Sequence, residues 1–115
     1  MKKSIASLSV LLLPVMFIMD CASVPTIYKW DGYQEQISLH LTGKTGPEQQ
    51  IVELEKNLSK IQADGKTPPG YMAHLGLLYV EVGNDGQAKR CFQAEKELFP
   101  ESAPFMNYLL AKISK

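Results

Sequence analysis

Few residues in this 115-residue chain could do chemistry, and their spacing decides which reactions are open to them. The histidines, His40 and His74, are isolated from each other in sequence. His74 lies between Ala73 and Leu75, where packing or capping is the expected role. No Cys/His spacing suits zinc, because Cys21 and Cys91 are far apart and each stands alone. No glycine-rich run precedes a helix carrying a phosphate-cradling lysine. Glu95 and Glu97 fall on a predicted helix and are expected in solvent, with Glu95 also placed to line a groove between paired helices. No nucleophile, base and orienting group recur together, so an enzyme is disfavoured and no cofactor or metal ligand set is expected. Cys21 remains. A thiol is the soft nucleophile needed to form a thioether with a diacylglycerol, and this one closes a long apolar run.

The residues before Cys21 have the layout of an export leader. Lys2 and Lys3 form a positive start, and Ile5 to Met19 is a nearly uncharged apolar run interrupted by Pro14. That run is short for a spanning helix, which needs about 20 residues, and suits a signal-peptide core. The segment Ile18-Met19-Asp20-Cys21 resembles a bacterial lipobox. Ile18 fits its aliphatic position, while Asp20 stands where a small residue is usual. The competing reading is an uncleaved N-terminal anchor. The expected organisation is a signal peptide over 1–20, a lipidated tether over 21–26 and a helical domain over 27–115. Two or three acyl chains on Cys21, at about 0.8 kcal/mol per buried CH₂, would hold the protein on a bilayer. Ala22 follows the cysteine. By similarity to lipoprotein sorting in Gram-negative bacteria, the absence of Asp there implies the outer membrane, with the fold facing the periplasm.

The mature part would hold roughly 95 residues, and a domain of that size buries only about 60–65% of its unfolded surface. Without Lys2, Lys3 and Asp20 it carries ten basic and eleven acidic residues. No basic stripe exists to neutralise phosphates, which argues against nucleic acid. Acylation of Cys21 would leave Cys91 without a partner, and beside Phe92 it reads as a small core residue. The alternative is an intermolecular disulfide.

Periodicity predicts five helices and no strand. The first spans about 31–41, with Trp30, Tyr33, Ile37 and Leu41 on its apolar side, ending at Gly43 and Gly46. Pro47 opens the second, about 47–62, with Ile51, Leu54, Leu58 and Ile61 inward and Glu53, Glu55, Lys56 and Lys60 wet. The third spans about 70–82 with Met72, Leu75, Tyr79 and Val82 on one face. Asn84 with Gln87 reads as a capping box for the fourth, about 85–98. The fifth, about 103–113, carries Met106, Leu109, Leu110 and Ile113.

The third and fourth helices resemble a tetratricopeptide repeat, a 34-residue helix-turn-helix unit. The clearest repeat covers 69–102. Its matches are Leu75, Gly76, Tyr79, Gly83, Ala88, Phe92 and Pro100. Gly76 and Ala88 are small where paired helices would cross, Leu75, Tyr79 and Phe92 would fill the space between them, Gly83 permits a tight turn, and Pro100 stops the second helix. Met72 stands in place of the usual Trp, and Glu95 in place of a small residue. The fold class is therefore all-α, a short tetratricopeptide-like array of helical hairpins after an N-terminal signal segment.

Tyr28-x-Trp30-x-x-Tyr33, the run from Pro68-Pro69-Gly70-Tyr71 to His74-Leu75-Gly76, and Leu98-Phe99-Pro100-Glu101-Ser102 together resemble a family of small bacterial lipoproteins with a domain of unknown function. The resemblance implies a tetratricopeptide-like fold encoded beside lipoproteins related to the curli secretion pore. It supplies a setting and no activity. Tyr28, Trp30 and Tyr33 read either as a lid over the first helix pair or as anchors for a partner, since Trp and Tyr join apolar area to a polar tip. The expected function is a non-enzymatic, protein-binding accessory subunit of an outer-membrane assembly, with a curli-pore-like lipoprotein as its partner. The competing classes are a free-standing structural lipoprotein and a cell-wall-acting enzyme.

Overall fold

The computed structural model describes residues 26–115. The leader, Cys21 and most of the tether lie outside the described residues. From Tyr33 onward the chain folds into α1 (Tyr33–Thr42), α2 (Pro47–Ala63), α3 (Tyr71–Glu81), α4 (Asp85–Leu98) and α5 (Ala103–Ile113), with a 3₁₀ turn at Pro100–Ser102 before the last. Successive helices pack on one another, and the described residues contain no strand.

The α3–α4 hairpin carries most of the core. Leu75, Leu78 and Tyr79 of α3 meet Ala88, Cys91 and Phe92 of α4, all buried. Gly76 lies where the two helices approach most closely. A Cβ built there would stand 2.6 and 2.8 Å from ring carbons of Phe92 and 3.2 Å from Cβ of Cys91. The turn between the helices needs Gly83 for a different reason, its φ of 77°, which L side chains rarely adopt. Asn84 then caps α4 by accepting from the Gln87 amide at 3.2 Å. Only half of the expected capping box forms, because the Asn84 backbone N–H donates to the Tyr79 carbonyl and closes α3.

Pro47 sits in the first turn of α2, as its fixed φ favours. Ile51, Leu54 and Ile61 of α2 are buried against the hairpin, and the Tyr71 hydroxyl donates to the Leu54 carbonyl at 2.7 Å inside that interface. α5 closes the far side with Met106 buried and Leu109, Leu110 and Ile113 partly buried against the core. α1 departs from the expected stripe. It begins at Tyr33, so Trp30 precedes it, and its buried residues are Tyr33 and Gln36. Leu41 is 79% exposed. At 100° per residue it falls about 80° round the helix from Tyr33, off the inward face.

Candidate partner-binding surface

The strap of residues before α1 positions the aromatic cluster. Lys29 anchors it twice. Its backbone N–H donates to the Lys66 carbonyl at 2.8 Å, and its ammonium meets the Asp64 carboxylate at 2.5 Å. This exposed pair raises the Lys29 pKa and lowers that of Asp64. The rings then run in sequence over the hairpin. Tyr28 meets Phe99 edge-on at 6.1 Å, Trp30 stacks on Tyr33 at 5.8 Å, and Tyr33 stacks on Tyr71 at 4.8 Å. Tyr33 is therefore a core residue, buried beneath Trp30, which fits the lid reading for this ring and takes it out of the candidate partner contacts. Burial, helped by the nearby Glu95 charge, pushes its phenol up to about 12. Burial likewise raises Tyr71 to about 12. Both therefore stay neutral, and the Tyr33 hydroxyl donates to the Gly70 carbonyl at 3.1 Å. Trp30 keeps 39% of its surface in solvent.

Glu95 brings a correction. Expected in solvent or lining the groove between the paired helices, it is 3% exposed. Its carboxylate accepts from the Gly70 amide at 2.6 Å and the Ala73 amide at 3.3 Å. Those N–H groups open α3 and have no partner within the helix, so a carboxylate delivered from α4 caps it and meets the positive end of its dipole. The expected small residue at this place in the hairpin is replaced by a bond between its two helices. The signal was present in the sequence as Pro68-Pro69-Gly70, which offers no helix cap of its own.

Two histidines distant in sequence meet at the α1–α3 contact, their ring centroids 5.2 Å apart. His74 is buried, its Nε2 has no hydrogen-bond partner in the protein, and burial followed by the nearness of His40 drives its pKa down to about 4. It packs edge-on to Tyr33, as a core residue does. His40 remains partly open, 3.8 Å from the Glu81 carboxylate. Cys91 is buried, and burial with the Glu55 charge raises its thiol to about 11, which leaves little thiolate. Among the described residues no group of three or more His, Cys, Asp or Glu side chains is arranged to hold a metal ion.

A pair of exposed aromatic rings lies on the outer side of α5. Phe105 and Tyr108 are 57% and 56% exposed. Their rings lie nearly parallel, 6.5 Å apart, with the Lys112 ammonium 5.4 Å above the Tyr108 ring. Met106 turns inward and this pair outward, so the apolar periodicity of α5, which marks its inward side, does not pick the pair out. Large apolar groups grouped in solvent mark contact surfaces more often than single exposed ones do.

The structure thus defines a small all-α module of stacked helices with an aromatic strap and a last helix whose outer side carries exposed aromatic rings. Comparison with family models matches residues 27–109 to the family described as a domain of unknown function, DUF4810. The chain belongs to that family. Comparison with curated proteins and with solved structures gives no match. Among the described residues no helix is long and apolar enough to cross a membrane.

Proposed function

We propose that this chain is an outer-membrane lipoprotein, held through acylated Cys21, whose tetratricopeptide-like domain faces the periplasm as a non-enzymatic accessory subunit of an envelope assembly or secretion complex. The observation that carries the binding role is the stacked, solvent-facing Phe105–Tyr108 pair on the terminal helix. In an array of stacked helices the last element shows the face that a further helix would cover. Aromatic area with a neighbouring cation is the composition enriched at protein interfaces. The tetratricopeptide reading is supported by the hairpin itself, where Gly76 meets Phe92 and Gly83 turns the chain. The anchor is supported by the leader pattern ending at Cys21. A curli-pore-like lipoprotein is the proposed partner, on the family resemblance.

A photo-crosslinking residue placed at Phe105 or Tyr108 in the full-length chain tests the role in intact cells. One discrete crosslinked protein, absent when the probe replaces the exposed Glu97, is expected. Crosslinks to lipid alone, or none, would favour a free-standing structural lipoprotein.

A further inference from the structure

The chain enters the domain at one end, and the strap closes that end. Lys29 ties it to the loop after α2 through the Lys66 carbonyl and Asp64, Tyr28 packs edge-on to Phe99 just after α4, and Tyr33 bonds to Gly70 just before α3. Apolar groups gather in solvent here. Ile27 is 78% exposed, and Leu98, the last residue of α4, is 48% exposed. Leu98 and Tyr28 line the same cleft of about 380 Å³, so they belong to one surface. The Tyr28 ring lies edge-on to Trp30 at 6.4 Å, and Trp30 covers Tyr33 while keeping part of its own surface in solvent. The charges beside these rings balance. Lys29 and Lys66 stand with Asp31 and Asp64, and the Lys29 ammonium is 2.5 Å from Asp64 and 4.0 Å from Asp31.

The length of chain before the described residues says what covers this end. Thr26 is five residues beyond Cys21, a reach of at most about 18 Å when fully extended. By comparison α2 alone, with 17 residues, is about 25 Å long. An acylated Cys21 lies at the bilayer surface, so the strap end is the part of the domain held nearest to lipid. We infer that this end, through Ile27, Tyr28, Trp30 and Leu98, docks on the headgroup–acyl boundary of the bilayer that holds Cys21. Trp and Tyr favour that boundary because their rings are apolar while their N–H and O–H groups reach water. Ile27 and Leu98 are the aliphatic groups that enter beside them. Balanced charge makes the contact apolar rather than a response to anionic lipid. With this end held, the domain shows a fixed face to a partner instead of tumbling on its tether. The inference rests on the acylation of Cys21 in the proposed function, and it goes beyond that reading by assigning the surface that meets lipid.

Trp30 is the only tryptophan in the chain, so its fluorescence reports this end alone. The test uses the full-length chain purified from membranes and placed in phosphatidylcholine vesicles with bromines either near the headgroup or at the acyl-chain ends. The shallow bromines should quench Trp30 at least about threefold more than the deep ones. Ile27→Ser combined with Leu98→Ser should cut that quenching by about half with the helical spectrum unchanged. In a Trp30→Phe chain carrying Asp85→Trp, the tryptophan sits at the other end of α4, about 20 Å from Leu98, and lipid quenching should fall at least about threefold. Adding phosphatidylglycerol should change Trp30 quenching by less than about twofold. Lipid quenching no greater at Trp30 than at position 85, indifference to the paired serine changes, or quenching that appears only with anionic lipid would overturn the inference. The intact mass of the same preparation shows whether Cys21 is acylated, so failure of the anchor and failure of the docking are read separately.

Discussion

Replacing Gly76 by alanine sets two effects of opposite sign against each other. In a helix interior alanine is favoured over glycine by about 1 kcal/mol. The new methyl, however, would lie 2.6 and 2.8 Å from two ring carbons of Phe92 and 3.2 Å from Cβ of Cys91. Carbon atoms sit comfortably at about 3.5–4.0 Å, so the ring has to retreat by about 1 Å. Phe92 is wholly buried, and in a close-packed interior its ring can retreat only by displacing its neighbours. Overpacking of this kind costs about 1–3 kcal/mol. The contacts under 3 Å put the steric cost toward the upper part of that range, giving a net loss of up to about 2 kcal/mol despite the better helix propensity. Chemical denaturation should show it directly, and the melting temperature should fall by about 4–8 °C per kcal/mol for a domain of this size. Gly86→Ala is the control. That glycine lies in the first turn of α4, and its added methyl meets only the Asn84 side-chain oxygen, at 3.8 Å. It should be neutral or slightly stabilising. In a Phe92→Leu background the cost of Gly76→Ala should shrink, a coupling expected only of residues in contact. If Gly76→Ala instead stabilises the protein by about the propensity difference, the close crossing of α3 and α4 is wrong.

Three further perturbations probe other parts of the structure. Glu95→Ala strips the partner from the Gly70 and Ala73 amides and should cost about 1–3 kcal/mol, with Glu95→Gln losing less because its amide oxygen can still accept; equilibrium unfolding of the three proteins side by side decides it. His74 titrates near 6.5 when unfolded and near 4 when folded, so the unfolded chain binds the proton first. Stability should therefore be complete above about pH 6.5 and decline as the pH falls through 4, by at most about 1.4 kcal/mol per pH unit for this one group. His74→Gln should flatten that part of the pH profile, and an unchanged slope would assign it to other groups. Cys21→Ser should move the protein from the membrane fraction to the soluble one, whereas retention at the membrane with the leader intact would establish an uncleaved anchor.

Much of the helical plan was legible because it rests on local physics. Pro47, Gly83, Asn84 and Pro100 are punctuation whose meaning depends on their own dihedral limits, and the helices α2 to α5 follow the marks they set. The family match over 27–109 agrees with the resemblance drawn from the Pro-Pro-Gly and His-Leu-Gly runs. The misreadings concern long-range partners. Glu95 reads as a solvated charge until α3 brings two unpaired amides to it. Tyr33 reads as lid or anchor alike until Trp30 covers it on one side and Tyr71 backs it on the other. Gln36 carries no signal of its own in the sequence, because its burial depends on how α1 docks. The Phe105–Tyr108 pair was hidden in a different way. Periodicity picks out the inward stripe of α5, and an outward aromatic pair becomes informative only once exposure is known.

The central claim is that a lipid-anchored helical module serves a larger assembly. Purifying an affinity-tagged full-length chain from membranes in mild detergent, and measuring the mass of the intact complex, tests it most directly. The account predicts an acylated chain in fixed stoichiometry with a second envelope polypeptide, and loss of that partner when Phe105 and Tyr108 are both changed to Ser with the helical spectrum unchanged. Recovery of the acylated chain alone, under conditions that preserve other envelope complexes, would contradict it.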